Sequence, residues 1–148
     1  MSRRERLSFR ARMAWQMRVF LDTNVLVSGF ATRGLSADVV RLLLAEHELS
    51  VGEVVLEETR RVLTEKFGVP DEKADEIEGL LRWHHVEPVP ESEPPVEVRD
   101  PDDEIVLASA IAAGAEILIT GDKDLLDVAD QVDALRITTP RTFWEEVR

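Results

Sequence analysis

Val19-Phe20-Leu21-Asp22-Thr23-Asn24 and Ile117-Leu118-Ile119-Thr120-Gly121-Asp122-Lys123-Asp124 decide how this chain folds. Each is a run of β-favouring apolar residues that stops at a carboxylate. An uninterrupted apolar run of this length reads as a strand buried on both faces, the habit of a parallel sheet lying under helices. In open α/β sheets, ligands bind just beyond the carboxyl ends of such strands. Two strands that deliver Asp there predict an acidic pocket, and an acidic pocket calls for a divalent cation.

Outward from these runs, strand patterns fall at about 18–22, 48–51, 86–89, 116–120 and 135–138. Helical spacing covers about 37–47, 53–67, 71–83, 103–113, 124–129 and 140–147, with Pro140 in the first turn of the last. Asp102 or Asp103 is the expected cap of the helix that runs to 113. The segment 23–34, with Gly29 and Gly34, reads as a loop, and 88–101, with five prolines, as an irregular excursion. The alternation predicts one α/β domain over 17–148: three layers, α/β/α, around a parallel sheet of about five strands.

Composition narrows the chemistry. A chain of 148 residues suits one domain, which at that size buries roughly 68–70% of its unfolded surface. The absence of cysteine excludes disulfides, thiolate nucleophiles and cysteine-based zinc sites, and three histidines leave little for a His-rich site. Apolar stretches fall short of the ~18 residues of a membrane helix, and no leader with a sustained apolar core is evident, so a cytoplasmic protein with no membrane association is expected. Net charge is −12, yet residues 1–16 hold five Arg and one Glu, which leaves −16 for the rest. That basic segment is expected to be a flexible extension outside the fold. So acidic a body does not attract nucleic acid through its mean field, because phosphate binding draws on Lys and Arg.

Each acid also has an ordinary use. Asp22 and Asp122 suit turns or helix caps, with Asp124 the better cap of the helix after the fourth strand. Asp103, in Asp100-Pro101-Asp102-Asp103-Glu104, would be favoured by the helix dipole alone, but four crowded acids exceed what capping requires. In the helix over 53–67 the apolar face is Val55, Leu56, Val62, Leu63 and Phe67. Glu57 falls opposite that face, whereas Glu58 falls at its edge and can reach a pocket beside the core; Glu53 sits at a similar angle a turn earlier. Glu58 is therefore favoured. Asn24 suits a local cap or a role steadying the site, and Thr120 is placed to hydrogen-bond a carboxylate or a metal-bound water.

Two carboxylates ~4 Å apart repel by about 4 kcal/mol at an effective dielectric of 20. Four in one pocket cannot stay ionised without a cation. An all-oxygen set selects Mg²⁺ or Mn²⁺ over zinc, and such an ion suits hydrolysis of a phosphodiester.

These residues in this order resemble the PIN domain family. The matching pattern is Leu21-Asp22-Thr23-Asn24-Val25, Leu56-Glu57-Glu58-Thr59, the helix from Asp103 to Ala110, and Thr120-Gly121-Asp122, over about 17–143. Its most specific parts are Asp-Pro-Asp-Asp and Thr-Gly-Asp-Lys-Asp-Leu-Leu, and the likeness is to the toxin branch, the VapC-type ribonucleases. The resemblance implies a sheet ordered 3-2-1-4-5, Mg²⁺ or Mn²⁺ at the acidic cluster and endonucleolytic cleavage of RNA. It also implies a homodimer and a small antitoxin partner that inserts into the active site. Asp22, Glu58, Asp103 and Asp122 match the acidic quartet, and Asp124 and Thr120 match supporting polar positions. The negative body departs from what an RNA binder needs. RNA contacts are expected, if anywhere, from Arg33, Arg41, Arg60, Arg61 or Lys123; His84 and His85 read as surface residues, and Trp15, Trp83 and Trp144 as packing or interface residues.

Two other classes compete. A phosphatase or phosphotransferase of the haloacid dehalogenase type needs a second carboxylate two residues after the first, where Asn24 stands, and a receiver-type domain orders its acids differently. A non-catalytic PIN fold, kept as a nucleic-acid or protein-binding module, would not need the intact quartet.

Overall fold

Strand β1, Arg18–Leu21, lies at the centre of the sheet, and its Val19, Phe20 and Leu21 are all fully buried. Successive strand residues point to opposite faces, so burial of three in a row means that helices cover both sides. The computed structural model describes residues 16–147. Apart from Gln16, the expected basic extension lies outside the described residues.

Strand β2 (Glu48–Gly52) pairs with β1 on one side, setting Val19 opposite Leu49, and β4 (Ile117–Ile119) pairs on the other, setting Phe20 opposite Leu118. Strands β3 (His85–Glu87) and β5 (Arg136–Thr138) complete the edges. All pairings are parallel and the order is β3-β2-β1-β4-β5, as expected. The direction of strand order reverses between β1 and β4, so a crevice opens beyond their carboxyl ends. Asp22 and Asp122 follow those two ends.

Helices α1 (Thr23–Ala31) and α2 (Leu35–Glu46) link β1 to β2; α3 (Glu53–Glu65) and α4 (Asp71–Arg82) link β2 to β3. Helix α5 (Pro101–Ala112) precedes β4, the short α6 (Lys123–Asp127) and a 3-10 turn (Ala129–Gln131) precede β5, and α7 (Pro140–Val147) follows it. Among the described residues no helix is long and apolar enough to cross a membrane.

Three local expectations are corrected. The segment after Asp22 is a helix, not a loop: Gly29 lies inside α1, where a Cβ would stand 2.6 Å from Val40 Cγ2, so it permits α1 and α2 to pack closely. The cap of α5 is Asp100, whose Oδ1 accepts from the Asp102 amide, with Pro101 at the first helical position; Asp102 and Asp103 stand inside the first turn. The cap of α6 is Asp122, whose Oδ1 accepts from the Asp124 amide at 2.8 Å.

Phe20, Leu21, Leu26, Leu43, Leu107, Ile117, Leu118 and Phe143 join in one continuous core. That core holds the start of α5 and the middle of α3 beside the carboxyl ends of the interior strands β1 and β4.

Candidate functional site

The Asp22 carboxylate is locked from three directions. Its Oδ1 accepts from the Thr23 amide at 2.7 Å; its Oδ2 accepts from Thr120 Oγ1 at 2.7 Å and from Asn24 Nδ2 at 3.1 Å. Thr120 Oγ1 in turn accepts from the Asp122 amide at 2.9 Å, and Asn24 Oδ1 accepts from the Gly121 amide at 2.8 Å. One fully buried threonine thus ties both strand-ending aspartates together. Asn24 and Thr120, both singled out in the sequence, each donate to the Asp22 carboxylate.

Asp103, in the first turn of α5, is only 7% exposed, and its Oδ2 has no hydrogen-bond partner among the described residues. The carboxylates of Asp100, Asp103 and Asp124 each offer an oxygen within 4.8 Å of the others. Of the four glutamates on α3, the first three separate cleanly. Glu53 is taken by Arg82, Glu57 is exposed, and Glu58 turns into the cleft. That cleft, of about 400 Å³, is lined by Asp22, Glu58, Asp103 and Asp122 together with Asn24, Asp100 and Asp102. All four acids expected to meet do line one cleft. Asp100 and Asp102 went unassigned as lining residues; Pro101 was the available signal, because Pro at the first helical position marks its predecessor as the cap and moves the helix start back.

Burial and like charge act in one direction here. Burial pushes the Asp22 carboxyl up, aided by Asp122 and opposed by hydrogen bonds from Thr120, Thr23 and Asn24. Glu58 is pushed up first by burial and then by Asp22, with Arg61 opposing. Asp103 is pushed up to about 8, by burial above all, then by the neighbouring Asp122 carboxylate and the charges of Asp100 and Asp22. Among the described residues lining the cleft, Lys66 is the one cation. A hard dication fits this arrangement: it would satisfy the buried Asp103 oxygen, relieve the repulsion and find only oxygen donors among the acids.

The rest of the expected periphery is mixed. Arg41 pairs with Asp38, and Arg60 pairs with Asp75 and Glu78, so neither is an idle cation. His85 Nε2 lies 2.8 Å from Glu87 Oε2, a partner that the sequence did not reveal. Trp144 packs against the core as expected, whereas Trp83 is 88% exposed and packs little; Trp15 lies outside the described residues. A larger cavity, about 560 Å³, opens beside Arg18, His47, Glu48, Trp83, His84 and His85. Among the described residues that line it Glu48 is the one carboxylate, so chemistry favours the smaller cleft.

No curated protein matches the chain. One chain of the crystal structure of VapBC2 from Rickettsia felis, bound to a DNA fragment from their promoter, aligns with a TM-score of 0.52 at 16% identity, covering 83% of this chain and 98% of that one. At that identity the likeness is one of fold. The sequence pattern of the PIN domain matches residues 18–124, from the start of β1 into α6, a span that includes Asp22, Glu58, Asp103 and Asp122. The chain belongs to the PIN domain family.

Proposed function

We propose that the protein is a metal-dependent endoribonuclease in which Asp22, Glu58, Asp103 and Asp122 hold Mg²⁺ or Mn²⁺, and that it is the toxin of a toxin–antitoxin pair. One observation carries the reading. Acids from four separate parts of the chain line one cleft, and the buried Asp103 Oδ2 among them has no hydrogen-bond partner among the described residues. A bound ion of this kind makes a water acidic enough to attack and neutralises charge on the phosphodiester.

The chain's own residues prepare that chemistry. Thr120, Asn24 and the Thr23 amide hold Asp22 in one orientation, so no ordering of that side chain remains to be done when a ligand arrives. Asp122 is oriented from both sides, its amide bonded to Thr120 and its Oδ1 to the Asp124 amide. Asp124 and Asp100 bring further carboxylate oxygens to Asp103. Asp103 must give up its proton to act as a ligand, so metal affinity should rise with pH up to about 8.

An RNA substrate, a small antitoxin partner, a homodimer and a cytoplasmic location belong to the same proposal. The likeness of fold to a chain of the VapBC2 complex supports the partner. The test is cleavage of mixed RNA in Mg²⁺ or Mn²⁺ by the wild type and by Asp22→Asn. Cleavage lost in the variant and on chelation is the expected result. Equal activity in both proteins, or activity that survives chelation, overturns the reading.

A further inference from the structure

We propose that Lys66 and Phe67 form a nucleotide-holding lip of the acidic cleft, where an unpaired base stacks on Phe67 and a neighbouring phosphate meets Lys66. The proposal rests on the ribonuclease reading of that cleft. Periodicity places Phe67 on the apolar face of a helix over 53–67, but α3 ends at Glu65 and Phe67 is 50% exposed at the mouth of the cleft. The turn that presents it is pinned. The Lys66 amide donates to the Val62 carbonyl at 2.9 Å, Gly68 takes φ +65°, and the Val69 amide donates back to the Leu63 carbonyl at 3.0 Å. A half-exposed phenyl ring on a fixed turn does not need ordering before it binds.

Val27 and Val62 line the same cleft, giving it an apolar stretch beside the carboxylates. Lys66 is the cation among the described residues that line it, and no described carboxylate forms an ion pair with Lys66. A nucleotide needs both surfaces: a flat apolar one for its base and a positive one for its phosphate. The overall charge makes the first more important. At −12 the chain offers a polyanion little mean-field attraction, so affinity has to come from contacts such as stacking, which any base can make. A paired base has both faces covered in its helix, so a single ring selects unpaired strands. An apolar segment of a protein partner would use Phe67 without Lys66.

The experiment measures binding of a fluorescent single-stranded RNA oligonucleotide in Mn²⁺ by anisotropy, in the Asp22→Asn background so that the strand is not consumed. Phe67→Ala should raise Kd roughly tenfold, Phe67→Trp should hold it near the parent value, and Phe67→Leu should not restore it. Lys66→Ala should raise Kd and lower the salt dependence of binding. The half-exposed position lets each variant fold, which a melting curve checks. Unchanged binding in Phe67→Ala, or full binding in Phe67→Leu, overturns the lip, the former pointing to a protein occupant. Cleavage by the Asp22-intact protein separates the two ideas. RNA cutting with an unaltered KM in Phe67→Ala sinks the lip alone. Binding that depends on Phe67, with no cutting, sinks the nuclease reading alone.

Discussion

Glu53 and Glu58 lie on the same helix, yet their surroundings treat them in opposite ways. Glu53 faces α4, where Arg82 grips both of its oxygens at 2.6 and 3.2 Å, and this hydrogen bonding holds its carboxyl below the usual range. Arg82 also binds Glu78, which shares Arg60 with Asp75. Glu58 faces the cleft, where burial and Asp22 push its carboxyl up. The seam between α3 and α4 is acid matched by base. The cleft is acid set against acid, an arrangement that costs stability and persists where a ligand is to be bound. Identical side chains five positions apart therefore lie in a charge-matched seam and in the cleft proposed to hold the metal.

The sharpest way to break this contrast is to neutralise a cleft acid. Asp22→Asn should lower metal-dependent RNA cleavage by roughly a thousandfold or more while leaving the fold intact, as read by initial rates and circular dichroism. Next in size is the threonine that supports it. Thr120→Val removes the donor to Asp22 and the acceptor of the Asp122 amide, and should cost roughly 10–100-fold in Mn²⁺ affinity or activity by calorimetry and rate measurements.

Titration gives the third test, because the two regions respond to pH with opposite sign. Asp103 has a folded value raised from 3.8 to about 8, so its protonation favours the folded state. Without metal that contribution is complete below 3.8 and fades as pH climbs through about 8. Melting temperature in chelator should fall over this window by on the order of 5 °C. Asp103→Asn should flatten the fall, and Mn²⁺ should raise the melting temperature more at pH 8 than at pH 5. Glu53 behaves the other way: its folded value is lowered from 4.5, so its contribution is present above 4.5 and is lost as pH drops through the folded value.

The smallest effect belongs to the seam. Glu53→Gln leaves Arg82 with Glu78, and the pair it removes is partly exposed and screened by solvent. It should cost about 1 kcal/mol or less in urea denaturation and nothing in cleavage rate. A large loss of activity in this variant would erase the distinction between the two regions.

Much of this was legible from residue order. Val19-Phe20-Leu21 and Ile117-Leu118-Ile119 announced strands buried on both faces, and the strand order expected from the family resemblance is the one found. Helical angle favoured Glu58 over Glu57 without deciding between these neighbours, and the structure turns Glu58 into the cleft and leaves Glu57 exposed. The start of α1 was not legible. Thr23-Asn24-Val25 with Gly29 has weak helix propensity, and packing against α2 through the Gly29–Val40 approach overrides it. Phe67 also misled, because periodicity does not reveal where a helix stops, and the turn at Gly68 carries that ring out of the core.

Sequence alone thus determined the parallel sheet, its buried strands and the acids that follow β1 and β4, because alternation of burial and the chemistry of side chains are local properties written in residue order. Tertiary structure alone decided which acid meets which neighbour. Arg82 answers Glu53 across a helix pair, Thr120 joins Asp22 to Asp122 across two strands, and Asp100 and Asp124 close on Asp103 from separate helix starts. Charge interactions depend on distance and burial, and for residues far apart in the chain both are set only when the core brings them together.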